Sequence, residues 1–168
     1  MIAVLIAEGF EEIEALCPVD IMRRAGLDVK TVGICERTVT GSHGITVVCD
    51  ITAKEINVSD VDHVIFPGGM PGATNLDSAP ISDKLIGVVL KKGGIIGAIC
   101  AAPLVLGRRG LLSGKRAICF PGFENELKGA IIESESEVVT DGQFVTACGM
   151  EAALPFAKEL TKQIKARM

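Results

Sequence analysis

Five short apolar runs, Ile2–Ala7, Val29–Ile34, His63–Phe66, Ile95–Ile99 and Arg116–Phe120, alternate with stretches of helical periodicity along the chain. Most of these runs are apolar at successive positions, the pattern of strands covered on both faces. Helical patterns fall at about 11–25, 78–92, 101–109 and 150–166. Repeated strand–helix alternation predicts a mostly parallel sheet with helices on both faces, an α/β sandwich of three layers. Thr46–Cys49 after Gly44, and Glu137–Val139 with Phe144–Ala147 around Asp141-Gly142, read as antiparallel additions. Asp-Gly between apolar runs is a strong hairpin signal. The 168 residues suit one domain, 1–168, with a substantial core.

In an open sheet of this kind, ligands bind beyond the carboxyl ends of the strands. Three such ends carry informative turns: Glu8-Gly9-Phe10-Glu11-Glu12-Ile13-Glu14, Pro67-Gly68-Gly69-Met70-Pro71-Gly72 and Cys100-Ala101-Ala102-Pro103. Cys100 ends a buried strand and opens a helix, and Gly97, Ala98, Ala101 and Ala102 allow strand and helix to approach closely. The design resembles a nucleophile elbow, with free N–H groups and the positive end of a helix facing the thiol. Cys100 is thus either a reactive thiol or a small buried hydrophobe. Cys17, Cys35, Cys49, Cys119 and Cys148 lack that context and read as structural.

Apolar Ile13, Leu16, Cys17, Ile21 and Ala25 form one stripe of the first helix. At about 100° per residue Glu14 falls inside it, while Glu11 and Glu12 fall outside. Pro18 adds a distortion, since it cannot donate to the carbonyl of Glu14. A carboxyl on a buried face must be protonated or paired. Glu14 is therefore either an ion-pair partner of Arg23 or Arg24, a dimer contact, or a raised-pKa acid beside a reactive group. Bringing a thiol from its ordinary value to near 5 needs about 5 kcal/mol of preferential thiolate stabilisation. A helix terminus supplies about 2 kcal/mol at most. A protonated Glu14 would add a donor, whereas an ionised one would repel the thiolate. The expectation is an ionised Cys100 beside a neutral Glu14. Gly69 and Ala101 are placed to donate backbone N–H groups to an oxyanion, unless the glycine turn is a phosphate site or a plain loop.

Other chemistries find little footing. The Walker and Gly-x-Gly-x-x-Gly patterns are missing, which disfavours nucleotide binding. His63 opens its strand, about 15 Å from the carboxyl edge. His43 lies in the turn Gly41-Ser42-His43-Gly44 and reads as solvated. Neither joins a metal cluster or a papain-like dyad, and no cofactor is implied. Net charge is −4, and without Trp or Tyr the chain lacks stacking residues for specific nucleic-acid recognition. Met1–Ala7 reads as a first strand and not a signal peptide. The apolar stretch 93–107 is too short to span a membrane. Six cysteines then imply a reducing, cytoplasmic setting. Hydrophobic residues make up 48% of the chain, and the mean hydropathy is +0.42. Both favour a homodimer that covers part of the surface.

Ala7–Glu14, Pro18–Gly26, Phe66-Pro67-Gly68-Gly69 and Ala98–Pro103 together resemble the DJ-one (ThiJ/PfpI) superfamily, in the branch of the Parkinson-disease protein and the bacterial YajL-type proteins. The resemblance covers nearly the whole chain. It implies a flavodoxin-like homodimer with a nucleophilic, oxidation-prone Cys100 and a protonated Glu14. It also implies an oxyanion site at Gly69 and Ala101, and Cys49 near the dimer two-fold. Activities it suggests are cofactor-free glyoxalase, deglycation, chaperoning and peroxide sensing. Two departures argue against protease activity. Phe120-Pro121 stands where some relatives carry histidine before proline, and Ala101 stands where the peptidase branch has histidine.

The expected function is turnover of small reactive aldehydes such as methylglyoxal, or of their adducts. Cys100 would add to the carbonyl and Glu14 would move the proton. The rival is a redox sensor or holdase in which Cys100 becomes a sulfinate. A weaker third reading is a hydrolase of esters or amides.

Overall fold

The computed structural model describes residues 1–168. Its central sheet contains seven strands. β1 (Ile2–Ile6) lies between β2 (Val29–Gly33) and β6 (His63–Phe66), both parallel to it. Of the remaining short strands, β3 is Thr38–Thr40, β4 is Thr46–Val48, and β5 (Ile51–Thr52) extends the sheet beyond β2. On the other side β7 (Ile96–Ile99) pairs with β6. Two further strands, β8 (Arg116–Ala117) and β9 (Ile131–Ile132), pair only with each other. The antiparallel hairpin of β10 (Val138–Asp141) and β11 (Phe144–Ala147) docks β11 in parallel on β7. Asp141 faces Phe144 across that turn, and Gly142 supplies the positive φ of 61° that the tight connection needs.

Side chains of β1 alternate between two cores because successive strand residues point to opposite faces. Ile2, Val4 and Ile6 pack with α1 (Glu12–Arg24) and α5 (Ala153–Lys165). Ala3 and Leu5 pack with α2 (Gly72–Ser78), α3 (Pro80–Lys92) and α4 (Pro103–Arg108). Sheet and two helical layers form the flavodoxin-like α/β sandwich. No helix is long and apolar enough to cross a membrane.

Several expected elements differ. Residues 116–120 do not enter the central sheet. Only Arg116 and Ala117 are extended, while the Ile118 N–H donates to the Thr146 hydroxyl at 3.0 Å. A side-chain acceptor thus replaces a strand partner at the point where a fifth parallel strand was expected. Thr46–Val48 is not an addition to the main sheet but half of a separate ribbon with β3. The helix expected at 78–92 is present as α3, and a further helix, α2, which was not expected, precedes it; the two meet at Ala79, where extended backbone precedes Pro80.

The inward face of α1 is also rotated from the expected stripe. Glu12, Glu14, Ala15, Pro18, Val19 and Met22 are buried, whereas Ile13 is 50% exposed and Leu16 is exposed. Glu14 is inward as expected, but Glu12 joins it and the large apolar residues do not.

His63, buried at the start of β6, accepts the Ile95 N–H on Nδ1 at 2.9 Å. Burial chiefly lowers its pKa from the usual 6.5 to about 4. The unfolded chain therefore takes up a proton near 6.5, and the folded chain resists until about 4. Stability from this group is complete above 6.5 and lost as pH falls through about 4, an effect of about 3 kcal/mol. Glu14 has the opposite sign, so the wild-type slope mixes both. In denaturant melts, the stability gap between wild type and His63→Gln should shrink as pH falls from 6.5 to 4. A constant gap would refute it.

Candidate active site

Parallel pairing of β1, β6 and β7 brings their carboxyl ends to one edge, at the point where chain order reverses beside β1. The three turns singled out in the sequence meet there. Cys100, at the end of β7, has φ +64° and is the only non-glycine residue in the left-handed region. That conformation costs about 1–2 kcal/mol for a residue with a Cβ. Tight backbone bonds hold it. The Cys100 N–H donates to the Ala147 carbonyl at 2.9 Å, and its carbonyl accepts the Phe120 N–H at 2.8 Å. Cys100 is half-buried.

Glu14 enters from α1, where the Glu11 carboxylate accepts the Glu14 N–H at 2.9 Å and caps the helix. Its side chain is buried, with the residue 1% exposed, and Oε2 accepts the Gly68 N–H at 3.0 Å. Arg23 instead bonds Asp50 and the Val29 carbonyl, and Arg24 pairs with Asp20. Neither arginine reaches Glu14, which removes the ion-pair reading. The Glu14 carboxyl and the Cys100 side chain lie side by side against Gly68, and their interaction disfavours the thiolate while the N–H groups of Gly69 and Ala101 favour it. Oε1 of Glu14 is buried with no partner in the chain.

Burial dominates the protonation of both groups. Burial raises the Glu14 carboxyl to about 7, helped by the charge of Glu11 and opposed by bonds to Cys100 and the Gly68 N–H. Burial, then the charge and hydrogen bond of Glu14, push the Cys100 thiol up to about 12. Gly69 and Ala101 pull it down only partly. The sequence predicts an ionised thiol beside a neutral acid. In the structure burial raises both groups, so carboxyl and thiol titrate as one coupled pair. Two main-chain donors and a helix of six residues are too little to overcome desolvation of a bare thiolate.

The two histidines stand outside this pair. His43 is exposed but not merely solvated. Its N–H donates to Glu12 Oε1 at 2.8 Å, and its Nδ1 lies 3.0 Å from Glu12 Oε2. Glu11, Glu12 and His43 bring ligand-type atoms within 4.8 Å of one another, a grouping that their sequence separation hides. This overturns the expectation that neither histidine gathers with carboxylates. The Glu12 oxygens are already occupied by the His43 and Ile45 N–H groups and the ring. A cavity of about 730 Å³ lies instead at the ends of β1 and β2 and includes Ile6, Cys35 and Lys54 but neither Cys100 nor Glu14.

The family model described as DJ-1/PfpI matches residues 1–163. The chain belongs to the DJ-1/PfpI family. Protein DJ-1 homolog B of Arabidopsis thaliana is 35% identical over 95% of this chain, which spans only 37% of that protein's length. The Glutathione-independent glyoxalase DJR-1.2 of Caenorhabditis elegans is 31% identical over 94% of this chain and 84% of its own. Deglycase PYRAB04690 of Pyrococcus abyssi is 26% identical over 98% and 99%. The crystal structure of Drosophila melanogaster DJ-1beta superposes with a TM-score of 0.91 at 31% identity, covering 97% of this chain and 89% of that one.

Proposed function

We propose that this DJ-1/PfpI protein is a cofactor-independent glyoxalase acting on α-oxoaldehydes such as methylglyoxal, with deglycation of the corresponding adducts as a related capacity. The observation that carries the reading is the buried Glu14–Cys100 pair, with the Gly69 and Ala101 N–H groups at its sulfur. A general base poised near neutrality is well matched to a thiol that does not ionise by itself. Relatives bearing glyoxalase and deglycase names point the same way.

In this reading Glu14 takes the Cys100 proton as sulfur adds to the aldehyde carbon, forming a carbon–sulfur bond. The Gly69 and Ala101 N–H groups hold the resulting oxyanion. Glu14 passes the thiol proton to that oxyanion, which frees the carboxylate to take the proton on the hemithioacetal carbon and return it to the neighbouring carbon, while the hydroxyl proton moves to the ketone oxygen; the ketone becomes an alcohol and the hemithioacetal a thioester. Water cleaves the thioester, releasing a 2-hydroxy acid and the thiol. The sum is aldehyde plus water to hydroxy acid, with no external oxidant or reductant.

Because Glu14 must be ionised to begin, activity should rise with pH through an apparent pKa near 7, the value given to its carboxyl by burial. The test is steady-state conversion of methylglyoxal to lactate from pH 5.5 to 8.5. Lactate formation on such a profile supports the reading; no lactate, or a flat profile, removes it. The sensor alternative rests on the same half-buried thiol. Stoichiometric Cys100 sulfinate after mild peroxide, without aldehyde turnover, would favour it.

We also propose that the protein works as a homodimer. Ile13 and Leu16 on α1, with Ile45 and Val48 of the β3–β4 ribbon, are exposed large apolar side chains. A second copy is the occupant that the family implies, with Cys49, buried beside Val48, close to the two-fold axis. All six cysteines are free, in keeping with a reducing setting.

A further inference from the structure

Three exposed large apolar side chains, Met70, Phe120 and Met150, are carried by the segments that build the Cys100 site, at 48%, 47% and 52% exposure. Met70 follows Gly69, whose N–H meets the sulfur. Phe120 is tied to Cys100 directly by its N–H at 2.8 Å. Its ring lies against the turn after β11, where a methyl group on Gly149 would come within 3.2 Å of it. That turn begins just after Ala147, the residue that accepts the Cys100 N–H. The ionisable neighbours at the sulfur are acids, Glu14 and behind it Glu11. Exposed apolar side chains on the segments bonded to Cys100, with acids as its ionisable neighbours, oppose an anionic 2-oxo acid and suit a neutral carbonyl with an apolar tail.

We infer that Phe120 determines specificity, its exposed ring selecting neutral α-oxoaldehydes with an aromatic or bulky apolar substituent over small ones. The inference rests on the glyoxalase reading and adds its substrate class. An aryl group laid on the ring removes apolar surface of both partners from water and gains an aromatic contact, together worth about tenfold in kcat/KM. Phenylglyoxal would then be hydrated to mandelate by the chemistry set out above.

The experiment measures the ratio of kcat/KM for phenylglyoxal to that for glyoxal in wild type, Phe120→Ser and Phe120→Leu. Both variants keep the backbone N–H that bonds the Cys100 carbonyl. A wild-type ratio above one is expected, falling about tenfold in Phe120→Ser and recovering in part in Phe120→Leu. A ratio below one, or one unchanged by Phe120→Ser, overturns the inference and leaves the glyoxalase reading intact. Absence of turnover of both aldehydes by wild type overturns the two together.

Discussion

Cys100→Ala is expected to abolish the proposed lactate formation from methylglyoxal, lowering kcat/KM by about a thousandfold or more, while thermal unfolding should stay cooperative with stability within about 1 kcal/mol of wild type. The side chain is only half-buried, and the substitution removes one sulfur atom without adding volume. The bonds that hold the turn, from Cys100 to Ala147 and from Phe120 to Cys100, are all backbone and persist. The left-handed φ at residue 100 remains, so neither relief nor new strain enters. Retention of wild-type turnover in Cys100→Ala would eliminate covalent catalysis at this site.

Glu14→Gln tests the partner. The amide keeps shape and can still accept the Gly68 N–H, but it cannot take a proton, and a drop in kcat of about 10²–10⁴ follows. Its pH profile should lose the step near 7. Combining it with Cys100→Ala adds little, because groups that act as one unit are not additive. At pH 8 the variant should also be more stable than wild type. A carboxyl with folded pKa about 7, against an ordinary 4.5, destabilises the fold as pH rises through that window by about 3 kcal/mol. The amide has no such burden. Activity lost while stability is gained is the expected signature of a group retained for chemistry.

The parallel framework and the meeting of the three turns were legible in the sequence because they depend on local signals. Strands apolar on successive positions need two covered faces, and Ile2–Ile6 is buried throughout. The Cys100 turn announced itself through small residues on either side. The orientation of α1 was less legible, because its apolar stripe was taken for its inward face. Glu14, Ala15, Pro18, Val19 and Met22 point inward, and Ile13 and Leu16 point out. Periodicity gives the phase of a helix but not which solvent, core or partner meets it. The charge of the pair was hidden for another reason. Desolvation depends on how many atoms surround the sulfur, and no spacing of residues reports that. The His43–Glu12 contact, 31 residues apart, was hidden because a ribbon brings them together.

Gly68→Ala should lower the rate about a hundredfold, although the residue carries no functional group. Gly68 has no positive φ to protect, so backbone strain does not enter. What forbids a side chain is space. A Cβ there would sit on Oε2 of Glu14, 2.6 Å from Cys100 Cβ and 2.9 Å from the Ile99 carbonyl. Two of these are backbone or backbone-anchored atoms that cannot swing away, so the carboxyl must move, breaking its bond from the Gly68 N–H. Displacement of about 1 Å at a proton-transfer pair costs about a hundredfold in rate, and forced overpacking costs about 1–3 kcal/mol in stability. Gly87→Ala in α3 is the matched control. Nothing lies within 4 Å of its added methyl, and alanine in a helix interior raises stability by about 0.5–1 kcal/mol. Wild-type kcat in Gly68→Ala would show that Glu14 does not need to be held at this distance from the sulfur, and the proton transfer assigned to it would fail.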